Sequence, residues 1–181
     1  MSKSKIIIIA VVFIALFAAL VLKFQGRKSL DPREQASLTQ GGLAPTFETF
    51  TDEAGRFSFQ YAKEFLVSAQ SMGDVGDTIL MHDPRSKLEI QIVVMPFDEE
   101  DPLTRERILL DVPDIIIEGE QNVLIGVKKD VSALLFSSRD SDVGNTKEVW
   151  FAHAGFLYQV STLAENEAEL GKFLEEWKFL P

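Results

Sequence analysis

The alternation of apolar and polar positions is clearest near the C-terminus. Residues 146–152 and 156–162 are rich in β-branched and aromatic types, and His153, Ala154 and Gly155 interrupt them, so the two runs predict a hairpin. A helix follows. Leu170, Phe173, Leu174 and Trp177 fall at i, i+3, i+4 and i+7, one stripe that a strand pair can bury. Upstream, residues 46–50 and 56–61 bracket the turn signal Asp52, Glu53, Ala54, Gly55, and Phe57, Phe59 and Tyr61 alternate with Arg56, Ser58 and Gln60. That pattern is a half-buried hairpin strand.

Short strands are expected at 66–69 and 78–82, joined by a turn containing Gly73, Asp74, Gly76 and Asp77. In residues 88–95, one face is Leu88, Ile90, Ile92 and Val94, while the other passes from polar Glu89 and Gln91 to apolar Val93 and Met95. One end of this strand is therefore expected to be covered on both faces. Asp101 and Pro102 suit a helix start, Leu103, Arg107 and Leu110 share a face, and Pro113 ends the segment. Residues 115–118 and 121–125 read as extended pieces split by Gly119, and 131–138 as a strand with an apolar centre at Leu134, Leu135 and Phe136. A start for the last helix is offered both by the capping-box spacing of Thr162 and Glu165 and by Asn166. Mostly strands, with one helix in the middle and one at the end, give an α+β domain over residues 47–181, a central antiparallel sheet with helices packed on it.

The longest apolar run opens at Ile6 and closes at Leu22, seventeen residues flanked by Lys3 and Lys5 before and Lys23, Arg27 and Lys28 after. At about 1.5 Å per residue it spans roughly 26 Å, close to the ~30 Å hydrocarbon core of a bilayer. A buried core helix would need a polar face, which the run lacks, and a cleaved signal peptide would need an A-x-A site before Lys23, which is absent. Residues 1–24 therefore read as an uncleaved anchor. With no cysteine it is no lipoprotein, and the run lacks the early glutamate of type IV pilins. Residues 25–46, with Gly26, Pro32, Gly41, Gly42 and Pro45 among polar positions, form a linker. Basic flanks nearly balance, so orientation rests on the short N-terminal side and the long C-terminal domain, the usual layout of a bacterial signal anchor with its domain outside the cytoplasm.

Charge divides the chain in the same place. Five of the 18 basic residues precede Ser29 and no acidic residue does, which leaves 13 basic against 28 acidic residues and a formal charge of −15 on the remainder. Such a domain repels nucleic acid and anionic lipid headgroups. Zero cysteines exclude disulfides and thiolate metal sites.

Candidate chemistry is thin. Asp140 and Asp142 alternate as calcium ligands do, but an EF-hand loop begun at Asp140 would place Asn145 where glycine belongs and Phe151 where glutamate belongs. Asp74 and Asp77 could cradle a cation, although a tight turn needs the same residues. His82 and His153 sit at strand ends, and either would need a nearby carboxylate to act as an oriented base. No Gly-x-Ser-x-Gly elbow surrounds a serine, no glycine-rich phosphate loop occurs, and Trp150, Phe151, Phe156 and Tyr158 fit cross-strand packing better than base stacking.

Arg56 to Tyr61 (RFSFQY), the helix and extended segment of 103–125, Lys147 to Phe151 (KEVWF), Leu157 to Val160 (LYQV) and the closing Trp177, Lys178, Phe179 together resemble the PsbP-like family. Its founding members are extrinsic proteins of the oxygen-evolving photosystem, and bacteria carry anchored or secreted relatives of undefined function. The resemblance implies an α-β-α sandwich and no enzyme, and no cofactor is expected. It departs at Ala62, where relatives usually carry proline. Three functions are thereby ranked: a tethered module that binds or helps assemble another envelope protein, a small-ligand or divalent-cation-binding domain using the acidic turns, and a hydrolase. For the orientation, a periplasm-only reporter fused after Pro181 should be active, and activity of a cytoplasm-restricted reporter alone would reverse the topology.

Overall fold

The computed structural model describes residues 46–99, 102–141 and 143–181. The expected anchor and linker lie outside the described residues, and among the described residues no helix is long and apolar enough to cross a membrane. The strands are β1 (Phe47–Thr51), β2 (Phe57–Ala62), β3 (Leu66–Ser71), β4 (Asp77–His82), β5 (Glu89–Pro96), β6 (Glu118–Ile125), β7 (Val131–Asp140), β8 (Gly144–His153), β9 (Phe156–Leu163) and β10 (Lys178–Phe179). Helix α1 (Arg105–Asp111) precedes β6, and helix α2 (Glu167–Glu175) follows β9 through a short 3-10 turn.

The α+β class is as expected, but the strands form two sheets rather than one. Seven of them make an antiparallel sheet in the order β3-β4-β5-β9-β8-β7-β6, and the remaining three make a small sheet ordered β1-β2-β10. The hairpin carrying Phe57 and Phe59 leaves the large sheet because its second edge is taken by β10, with Lys178 opposite Ser58 and Phe179 opposite Phe57. A two-residue strand after Trp177 carries too short an alternation to be read from sequence.

Alternate residues of the central strands feed two separate cores. Ile90, Ile92, Val94, Val149, Phe151, Tyr158 and Val160 point to one face, where β2 and α2 add Phe57, Phe59, Leu170, Phe173, Leu174 and Trp177. The four-residue stripe of the sequence is thus buried as a unit. Trp150, Leu157, Leu134 and Phe136 point to the opposite face, under Leu103, Ile108 and Ile117. Helix α1 begins later than the sequence suggests, with Thr104 as its cap: the Thr104 hydroxyl accepts from the Arg107 backbone N–H at 3.2 Å. Its buried residue is Ile108, and Leu110 is 77% exposed. The two extended pieces around Gly119 are one strand, β6, with a register break between Glu118 and Gln121 where Gly119 takes φ +62°.

The Asp52 turn of the small sheet is tied to the large one by charge. Arg56 donates from Nε to Asp52 Oδ2 at 2.7 Å and from its terminal nitrogen to Asp52 Oδ1 at 2.8 Å, and that same nitrogen donates to Asp77 in β4. The guanidinium also lies 4.9 Å from the centre of the Phe156 ring. Arg56 and Asp52 are largely buried, so the pair is fixed by fork geometry and shielded from solvent.

The β8–β9 hairpin closes through Ala154 and Gly155, both at positive φ, +50° and +82°. This is the two-residue turn that Asn-Gly adopts most readily, and alanine there holds a left-handed conformation against its Cβ. Ala154→Asn should therefore stabilise the domain by about 1 kcal/mol, read as a higher denaturant midpoint with an unchanged slope.

Candidate functional site

The sequence-predicted residues disperse. Asp74 lies exposed in the 3-10 turn Gly73–Val75, whereas Asp77 opens β4 with a carboxylate oxygen accepting from Arg56. Asp140 ends β7, and Asp142 lies outside the described residues. Among the described residues no group of three or more histidine, cysteine or acidic side chains is placed to hold a metal ion. His153 packs on Phe179, ring centres 4.2 Å apart, at the hairpin end.

His82 does meet a carboxylate. It faces Glu89 across the β4–β5 ladder, with Nδ1 3.9 Å from Oε2, a separation longer than a hydrogen bond. The register places a polar row beside it: Glu148 in β8 opposes Ser161 in β9, which opposes Gln91 in β5. This row occupies the sheet face that Trp150, Leu157 and Leu134 make apolar further along under α1. The switch from Glu89 and Gln91 to Val93 and Met95, legible in the sequence, marks that boundary on β5. Glu148 carries no motif and was not singled out from sequence.

Burial has opposite outcomes for the acids. At Asp52, burial alone would raise the pKa, but the hydrogen bonds and charge of Arg56 outweigh it and hold the carboxyl below its usual range. At Glu89 burial pushes the pKa up, and among the described residues its buried Oε1 has no hydrogen-bond partner. Burial also raises Glu148, and the bonds from Thr146 and from Trp150 Nε1, the latter at 3.2 Å, offset only part of that. Tyr158, beside Arg56 and Asp52, is pushed up to about 12, chiefly by burial.

These shifts give opposite pH signatures. Asp52→Asn should cost about 2 kcal/mol at neutral pH, less than the ~3–5 kcal/mol of a fully buried pair because Arg56 keeps some exposure and its bond to Asp77. That deficit holds above the ordinary aspartate value of 3.8 and shrinks as pH falls through the lower folded value. Glu89→Gln should instead raise stability at neutral pH, and its advantage should disappear as pH falls to the ordinary glutamate value of 4.5. Urea denaturation across the acid range checks both.

No protein-family model matches the chain, and no curated protein does. Solved structures do. The solution structure of the cyanobacterial PsbP protein CyanoP from Synechocystis sp. PCC 6803 aligns with TM-score 0.53 and 11% identity, covering 78% of this chain and 97% of CyanoP. A crystal structure from Bacteroides thetaiotaomicron aligns with TM-score 0.49 and 12% identity, covering 74% of this chain and 48% of that one. The chain thus has a PsbP-like fold.

Proposed function

We propose that this chain is a membrane-tethered, extracytoplasmic, non-catalytic module that docks on another envelope protein through the α1–β6 side of the domain. The tether is the run from Ile6 to Leu22, and the fold shared with CyanoP supports a binding role over a catalytic one.

One observation carries the docking surface. Among the described residues, seven large hydrophobic side chains are exposed, and four of them, Leu110, Ile116, Leu124 and Val127, come from one stretch of chain. Nothing in packing requires them there: their neighbours Ile108, Ile117 and Ile125 already fill the cores. Exposed acids Asp114, Glu118 and Glu120 are interleaved with them, and Arg105 neutralises Glu120 at 2.6 Å. Exposed apolar side chains interleaved along the chain with acids suit a partner presenting apolar residues beside lysine or arginine.

A ligand-binding reading is second. It is favoured by the buried Oε1 of Glu89, which a cation or a donor group could engage. Calorimetry with Ca²⁺, Mg²⁺ or Mn²⁺ showing no heat and no thermal shift would remove its cation form.

For the first reading, a photo-crosslinking side chain at Leu110 or Leu124 of the full-length protein in its native membrane should trap one discrete envelope protein. Asp114→Lys combined with Glu118→Lys should cut that yield about tenfold, the effect of roughly 1.4 kcal/mol of lost complementarity. No reproducible adduct, or the same adducts from a probe at Gln70 on β3, the opposite edge of the large sheet, would overturn the proposal.

A further inference from the structure

Among the described residues the seven-stranded sheet ends in two unpaired edges, and they are built differently. On β6 the ladder is broken by the bulge at Gly119, and Glu118 and Glu120 stand beside the break. Such devices keep an edge from pairing with another chain. β3 has none of them. Its six residues, Leu66, Val67, Ser68, Ala69, Gln70 and Ser71, include no charge, proline or glycine, and they run in unbroken register with β4 from Leu66 opposite His82 to Ser71 opposite Asp77. Five of the six are exposed, Leu66 at 46%.

A neutral, regular edge is unexpected on a domain of formal charge −15. Strand addition needs little beyond a straight row of free N–H and C=O groups, so β3 is competent to accept a strand. The charges at its ends indicate which strand. Lys63 and Asp74, both exposed, flank β3 before and after. When β3 is laid antiparallel on itself with Ser68 opposite Ser68, Leu66 meets Gln70, Val67 meets Ala69, and Lys63 of each copy falls beside Gly73 and Asp74 of the other. Paired residues then share a sheet face, as a continuous sheet demands. Glu64, the nearest other acid, is held by Arg85 at 2.8 Å.

We propose that β3 is a homodimerisation edge, pairing antiparallel with β3 of a second copy of this chain about a two-fold axis at Ser68. The contact is isologous, joins two seven-stranded sheets into one of fourteen, and is closed, so it yields a dimer and no filament. A six-residue edge buries less than the ~1,200 Å² of a strong complex, so the association is weak and concentration-dependent. It uses the edge opposite the α1–β6 surface and stands or falls apart from the partner proposed there.

The chain contains no cysteine, which makes the test direct. Full-length protein carrying Ser68→Cys, in detergent micelles under mild oxidation, should form a disulfide dimer about tenfold faster than protein carrying Gln121→Cys on β6, because only facing Cβ atoms about 4–5 Å apart can be bridged. Sedimentation velocity should show a monomer–dimer equilibrium for the native chain, and monomer alone for Ser68→Lys, which sets two like charges face to face. The exposed Ser68→Lys change should leave the thermal midpoint within about 2 °C. Equal cross-linking at both edges, or a Ser68→Lys chain that still dimerises, would overturn the proposal.

Discussion

Trp177 is the contact on which the two-sheet arrangement depends. It is fully buried, stacks on Phe57 with ring centres 4.4 Å apart and 13° between planes, and meets Phe151, Phe173 and Tyr158 edge-on. One side chain thus touches the small sheet, the large sheet and the terminal helix. Among the described residues its buried indole Nε1 has no hydrogen-bond partner, at a cost of about 1–3 kcal/mol. Burying ~150–250 Å² of aromatic surface returns roughly 4–6 kcal/mol, so packing wins over polar satisfaction at this position. Because β10 begins at the next residue, the tryptophan also fixes where the chain must turn to pair with β2.

The stripe of Leu170, Phe173, Leu174 and Trp177 was legible because every member faces the same core, and periodicity reports faces. Helix α1 was less so. Pro102 suggested an early start, but Thr104 supplies the cap, and Leu110 sits on the predicted face yet points to solvent while Ile108 is buried. In a helix of seven residues, tertiary contacts outweigh pattern. The division of the strands between two sheets was not legible, since Phe57 and Phe59 alternate identically whichever strand pairs with theirs.

The site residues follow the same rule. Arg56 and Asp77 are twenty-one positions apart, and His82 meets Glu89 only because the β4–β5 ladder sets them opposite. Strand pairing and register decide these contacts. What the sequence did show was the change of character along β5, and the structure turns that change into a boundary between an apolar floor under α1 and a polar row of Glu148, Ser161 and Gln91. The two ends of one sheet face thereby acquire different chemistry without any loop insertion.

The position of β9 bears on how the chain is made. It is the last strand of the large sheet in sequence yet lies at its centre, joining β3-β4-β5 on one side to β8-β7-β6 on the other. Until residues 156–163 have left the ribosome, β5 and β8 lack the strand that lies between them. Closure then brings together Gln91 and Ser161, and α2 with Trp177, followed by β10, covers the core over the seam. The seven-stranded sheet can therefore close only after β9 has been made, because its central pairings join segments far apart in sequence.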